Sequence, residues 1–396
     1  MLFSLKRKWF LILFMGFLAS CNSKNKSSSE KVVLKPSDIT FATERADDWT
    51  QTFKRDSGWF GGDGIFVIPY SGNDTEQQKD SLLFVFSDTM IGQIKNDSLL
   101  PGYKMVNNSL AILDTKENPK DIKFKLDQND KGYAAFFKPK TDSEEYYWLG
   151  DGFVNKSNKK LYLFAYRIRN TNTDDLLPFE ETGNDLLVID NKDDFPLKAT
   201  KQIKLSFFNE LSAENKISFG VGVYEDYGSK DPNIYIYGVR GKSKDLVVAR
   251  VKPPHIENLE AWEFLGENGW QTSWEGLQAL STSVSNELSV SKITDNIFGL
   301  VYQEGGIYPK IYLKMASTPY GPFGEKQLLW DTTKDIQDPD LFTYNAKAHP
   351  ALSKPGELLV SYNVNSFKFF DIIEAKPHLY RPRFFKIKFN IPVVNK

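Results

Sequence analysis

Short apolar runs bounded by Gly, Pro, Asn and Asp, the absence of long stretches at helical spacing, and the return of those runs in five successive units predict an all-β fold, a five-bladed β-propeller. The runs are Ile65 to Ile68, Leu82 to Phe86, Leu161 to Tyr166, Ile234 to Val239, Leu246 to Val251, Ile297 to Tyr302, Ile311 to Met315 and Leu358 to Tyr362. Each is β-branched or aromatic and has the length of a strand. Glu257 to Phe264 alone has the spacing of a short helix. The units open near Trp59, Trp148, Ile217, Asn286 and Tyr344. Each tends to start on Gly or small polar residues, run apolar, turn at a cluster of Lys, Asn, Asp or Gly and run apolar again, as in the hairpin Val154 to Leu161. A two-sheet sandwich with an accessory domain is the alternative, but its strands would number seven to nine over about a hundred residues.

The chain has 396 residues, 41% hydrophobic and 14% aromatic, with charges of both signs and a formal net charge of −1. That composition supports a large core and excludes disorder for the bulk of the chain. Nothing in the charge balance points to nucleic acid. Lys6, Arg7 and Lys8 precede an apolar run from Trp9 to Leu18 that is too short to span a bilayer, so residues 1–20 read as an export signal. Leu18-Ala19-Ser20-Cys21 resembles the lipobox of bacterial lipoproteins, which makes Cys21, the only cysteine, the expected acylated first residue. Residues 21–35 then read as a tether and 36–396 as the propeller, held on a membrane of the cell envelope by acyl chains alone. A body without further cysteines holds no disulfide and must be stabilised by packing.

Gly-Asp-Gly occurs twice, as Gly62-Asp63-Gly64 and Gly150-Asp151-Gly152, each after aromatics and before an apolar run. In a propeller the first strand of every blade runs beside the central channel, so acids at the mouths of such strands gather at one pocket. Flanking glycines free the backbone for tight turns and let a ligand approach; a turn in which Asp caps backbone amides is the plainer alternative. Asp88 closes the run Leu82 to Thr89 and is placed to orient Asp63 or a substrate hydroxyl, or to end a strand. Asn107 and Asn108 offer neutral groups suited to sugar hydroxyls, or form a polar turn. Glu287 heads the fourth unit and His349, one of three histidines, lies in the fifth. Trp59 and Trp148 have the faces for stacking on sugars, or for wedging between blades. No His/Cys/Asp cluster has the spacing of a transition-metal site, and no Gly-x-Ser-x-Gly elbow or phosphate loop occurs.

Acids from separate blades around an aromatic-walled pocket suit glycoside chemistry. One protonated carboxyl gives its proton to the leaving oxygen while an ionised one activates water or attacks the anomeric carbon.

Gly62-Asp63-Gly64, Phe84 to Thr89, Asn107 to Leu113, Asn286 to Val290, Thr318 to Pro322 and His349-Pro350, in that order, resemble the motifs of domain-of-unknown-function family 4185. That family is similar to five-bladed propeller glycoside hydrolases such as arabinanases, and the similarity runs from about residue 55 to 390. The resemblance implies Asp63 as general base or nucleophile, Asp151 as an orienting and pKa-tuning acid and Glu287 as general acid. It also shows two departures: the arabinanase pattern carries its general acid on the third blade, whereas Glu287 falls on the fourth, and the family's Gly before the strand-ending Asp-Thr is Ser87 here.

The expectation is a lipid-anchored, monomeric, exported propeller that cleaves a furanoside or similar bond in a polysaccharide or oligosaccharide. It needs no cofactor, and a structural calcium ion on the axis is compatible with it. A non-catalytic glycan-binding lipoprotein is the rival from a different class, and a structural propeller with a protein-binding face is a third.

Overall fold

The computed structural model describes residues 34–75, 80–115, 118–141, 143–171, 173, 178–209 and 215–392. Cys21, the export signal and the tether up to residue 33 lie outside the described residues. The described residues, 34 to 392, belong to one compact unit.

Five antiparallel sheets follow one another along the chain. The first joins Phe66–Pro69, Ser81–Phe86, Ser109–Asp114 and Lys123–Lys125, and the second Tyr146–Val154, Leu161–Asn170, Phe179–Ile189 and Lys201–Lys204. The third is five-stranded: Ile217–Asp226, Asn233–Arg240, Asp245–Val251, Glu263–Gly266 and Gly269–Gln271. Ser289–Thr294, Ile297–Gln303, Lys310–Ala316 and Gln327–Asp331 make the fourth. The fifth orders Leu341–His349, Glu357–Ser366 and Pro382–Asn390, and its fourth strand is Thr40–Arg45 from the other end of the described chain, paired from Thr40↔Asn390 to Arg45↔Phe385. A small extra sheet of Ser57–Gly62, Thr89–Lys95, Ser98–Leu99 and Lys104–Val106 sits beside the first. Every apolar run read as a strand lies in one of these sheets, and the hairpin Val154 to Leu161 pairs as expected.

Glu257 to Phe264 is not a helix. Leu259–Ala261 makes a single 3₁₀ turn, capped by the Asn258 side chain on the Glu260 N–H, and Glu263–Gly266 continues as a strand. Two-residue periodicity wins there because Trp262 and Phe264 are wholly buried, while Glu263 turns outward to pair with Arg250.

The sheets bury both faces, which explains why their strands read as unbroken apolar runs. In the second sheet, Tyr162 and Phe164 pack on Ile217, Phe219 and Ile236 of the third, while Leu161, Leu163 and Ala165 pack on Phe66, Leu83 and Val85 of the first. Third and fourth share a core around Val248, Val290 and Leu300, and fourth and fifth one around Ile311, Leu313 and Val360. Fifth and first share a fifth core, with Leu359 and Phe384 against Leu82 and Phe84.

The first strand of four of the five sheets breaks its ladder. Bulges fall between Leu149 and Gly152, Phe219 and Gly222, Lys292 and Thr294, and Tyr344 and Lys347. A bulge re-aims side chains and is common beside functional sites.

Phe164 is fully buried at the junction of second and third sheets. We expect Phe164→Ala to cost about 3–5 kcal/mol of stability, read as a lowered urea midpoint with an unchanged slope.

Candidate functional site

Gly62-Asp63-Gly64 is the link between Ser57–Gly62 and Phe66–Pro69. The Asp63 N–H donates to the Asp88 carbonyl at 3.2 Å and the Asp63 carbonyl accepts from the Ser87 N–H at 2.9 Å, so the two aspartates stand side by side. Gly64 has φ of +59°, and a Cβ there would meet the Ser87 hydroxyl at 2.6 Å. The Ser87 hydroxyl in turn binds both the N–H and the carbonyl of Leu149. Serine in place of the glycine expected there thus ties the first sheet to the second.

The Asp63 carboxyl accepts the Tyr344 hydroxyl at 2.7 Å. Burial raises its pKa, while the hydroxyls of Tyr344 and Tyr380 and the charge of Lys347 pull it back. Asp88 is raised first by burial and then by the charge on Asp63, with the Trp148 indole and the Asn107 amide, 3.2 Å away, offsetting part of this. Asp63 therefore ionises first and Asp88 holds its proton longer.

Glu287 directly precedes the first strand of the fourth sheet and forms an ion pair with Lys347. Burial pushes its carboxyl up to about 7, against the pull of Lys347 and with a further push from Asp63. Lys347 itself is 1% exposed, its ammonium 4.3 Å from the centre of the Phe66 ring. Asp151 lies within the bulge of the second sheet's first strand. Its Oδ1 accepts from the Gly152 N–H at 2.8 Å and its Oδ2 from the Val223 N–H of the third sheet at 2.7 Å. Desolvation outweighs both and raises it to about 7.

Asp151, Val223, Ser289, Lys347, His349 and Phe66, from the first strands of all five sheets, line one cavity of about 20 Å³, enough for a single water-sized molecule. Among the described residues, no group of three or more His, Cys, Asp and Glu side chains could hold a metal ion.

The structure thus brings together Asp63, Asp88, Asn107 and Trp148 at one place, and couples Asp63, Glu287 and Asp151 through the charge of Lys347. Asp63 lies in the link between Ser57–Gly62 and Phe66–Pro69, and Asp151 lies within Tyr146–Val154. Asp63 pairs with Ser87 and Asp88, and Ser87 meets Leu149, two residues before Asp151.

Three other expected contacts with substrate are corrected. Trp59 is 1% exposed, stacked on Phe124 at 4.4 Å and enclosed by Phe53 and Phe86, so neither ring face can meet a sugar. Asn108 is fully buried and clamps backbone: its amide donates to the carbonyls of Phe137 and Tyr147 and accepts the Phe137 N–H. The His349 ring is buried, its Nε2 bonded to the Ser361 hydroxyl at 2.7 Å, and burial together with Lys347 holds its pKa well below the usual range.

Sequence reasoning missed Lys347, Tyr344, Tyr380, Tyr166 and Glu181. Glu181, on the third strand of the second sheet, takes the Ser218 hydroxyl and is pushed up to about 7 by burial. Tyr166 is a buried phenol under the influence of Glu181, Glu287 and Asp151. Of these, only Lys347 had a readable signal: a lysine two residues before His349 in a unit already aligned with the acids.

Asp151, Glu181 and Glu287 share a consequence for stability. Their pKa values rise from 3.8 or 4.5 to about 7 on folding, so the folded chain binds protons that the unfolded chain has released. Their contribution is fully present below about pH 4 and is lost as pH rises through about 7. We expect urea midpoints to fall between about pH 4 and 7, and Asp151→Asn to make that fall shallower by up to about 1.4 kcal/mol per pH unit.

Comparison with known proteins places the fold. No curated protein matches the chain. A crystal structure from Bacteroides ovatus ATCC 8483, described as a candidate hydrolase, is 19% identical with a TM-score of 0.68, and the match covers 91% of this chain and 97% of that one. A xylan β-1,4-xylosidase from Bacillus halodurans C-125 gives 0.44 at 12% identity, covering 78% of this chain and 50% of that one. An exo-β-1,3-galactanase from Phanerochaete chrysosporium gives 0.44 at 9%, covering 84% and 62%. The family found is not the one numbered 4185 that the motifs resembled. A family model matches residues 46–390, and by that match the chain belongs to the family described as domain of unknown function 5005.

Proposed function

We propose that the five sheets are the blades of a propeller and that the chain is a glycoside hydrolase working at Asp63 and Glu287. The cyclic succession of shared cores, first with second through fifth with first, supports the ring. So does the cavity lined by the first strand of every sheet.

One observation carries the chemistry: the Tyr344 hydroxyl donates to the Asp63 carboxyl at 2.7 Å and favours its ionised form, while burial, and after it the charge on Asp63, pushes Glu287 up to about 7. Two carboxyls whose surroundings push their protonation apart are what glycosidic hydrolysis requires. Asp63, ionised first, takes the proton of a water or attacks the anomeric carbon. Glu287, which keeps its proton to about pH 7, delivers it to the leaving oxygen. Asp151, with both oxygens on backbone N–H groups, orients and tunes rather than reacts. Trp148, half-buried beside Asp88 and Asn107, offers a ring and polar groups to a sugar. A furanoside in an arabinan-like polysaccharide is the substrate class this reading favours. Export, acylation at Cys21 and residence on the cell envelope as a monomer complete it.

The Glu287–Lys347 ion pair favours a second reading, a non-catalytic glycan binder, because a paired carboxylate is a poor proton donor. A glycan-release screen against plant and bacterial polysaccharides separates the two. For the hydrolase, we expect Asp63→Asn and Glu287→Gln each to lower release by about 10²–10⁴-fold with the fold retained. Retention of glycans on an array without release by the wild type would establish the binder.

A further inference from the structure

Lys347 is a lysine almost without exposure, and burying such a charge is costly unless it is compensated. Glu287, at the entry to the fourth sheet, pairs with it directly. Asp63, before the first sheet, and Asp151, in the second, both feel its field. On its own strand His349 is held neutral partly by it, and Phe66 of the first sheet presents a ring face. Asp74 lines the same cavity, and from the third sheet only Val223 does so. One cation thus stands among several carboxyls in a place with little water.

We propose that Lys347 is a positioning residue, the counter-charge paired with Glu287 that lets Asp63 and then Glu287 ionise within the working range without itself touching the substrate. This rests on the hydrolase reading above. Burial alone would keep both carboxyls protonated near neutrality and leave the site with an acid but no base. Lys347 is fixed at the bulge between Tyr344 and Lys347, the same irregularity that brings the Tyr344 hydroxyl to Asp63. One kink in one strand therefore supplies both the cation and the neutral donor.

The test compares wild type with Lys347→Met, which keeps the length of the stem and removes the charge, and Lys347→Arg, which keeps the charge. The probes are 4-nitrophenyl α-L-arabinofuranoside and 4-nitrophenyl β-D-xylopyranoside, hydrolysed from pH 4 to 9. Both limbs of the rate profile should move to higher pH by about one unit or more in Lys347→Met, since an opposite charge at short range lowers a carboxyl by that order, and should stay near wild type in Lys347→Arg. A uniform drop in rate without displacement is the signature of a structural residue and overturns the inference. If Lys347→Met fails to fold, Glu287→Gln is compared with the double variant Glu287→Gln, Lys347→Met, in which no charge is left unpaired between those two. The difference in urea midpoint between those two across the same pH range then reports the titration of the carboxyls under the influence of Lys347, Asp63 and Asp151, without any need for turnover. Displacement of that titration supports the counter-charge role even where the wild type hydrolyses neither probe, a result that would count against the hydrolase reading alone. Superimposable titrations overturn it.

Discussion

The first strands of neighbouring sheets approach more closely than side chains allow, and the rest of the site follows from that crowding. A Cβ on Gly150 would lie 2.7 Å from the carbonyl oxygen of Gly220, and one on Gly222 would lie 2.9 Å from the carbonyl oxygen of Leu288. The Leu288 N–H donates to the Val221 carbonyl at 3.0 Å, so backbone meets backbone between sheets three and four. At such distances the strands cannot keep regular ladders with their own sheets, and the bulges at Leu149/Gly152 and Phe219/Gly222 absorb the mismatch. Residues next to each bulge lose the two-residue alternation that would hide them in a core, and Asp151 and Val223 reach the cavity lined by all five sheets from there.

Crowding also decides the electrostatics. A cavity of about 20 Å³ has room for one water-sized molecule and not for a solvent layer, so Asp151 on its wall loses hydration and rises towards neutrality, as burial also raises Glu287. Charges then persist only where the protein supplies partners. Asp63 has two phenols and a lysine, and Asp151 has two backbone amides. The order in which they ionise is set by these few donors, because solvent contributes little.

Much of this architecture was legible in the chain. Sheets buried on both faces leave apolar runs such as Ile234 to Val239 and Ile311 to Met315, and those runs are strands. Gly-Asp-Gly was visible too, but glycine served a different end: Gly150 clears the Gly220 backbone and the Tyr166 hydroxyl rather than making way for a ligand. Trp59 misled because aromatic composition cannot tell a stacking platform from a core, and three rings, Phe53, Phe86 and Phe124, claimed it. Lys347 stood in register with His349, but its pairing with Glu287 and the reach of Tyr344 to Asp63 were hidden because both depend on a bulge, and a single inserted residue leaves no mark on composition. Tyr380 reaches Asp63 from the loop before the last strand, a contact between distant parts of the chain that carries no motif.

The two aspartates of the repeated motif differ in the kind of donor they face, and that difference separates chemistry from structure. Asp151 accepts from backbone N–H groups of its own strand and of the third sheet, donors that cannot rotate away, so its carboxyl acts as a fixed tie between two sheets. Asp63 accepts from phenolic hydroxyls, which turn about the C–O bond and can give their hydrogen bond to another acceptor, while the Tyr344 oxygen itself accepts from the Asn365 amide. A carboxylate that is to take up a proton during a reaction must be able to exchange partners as its charge disappears. Of the two, only Asp63 is solvated by groups that permit the exchange.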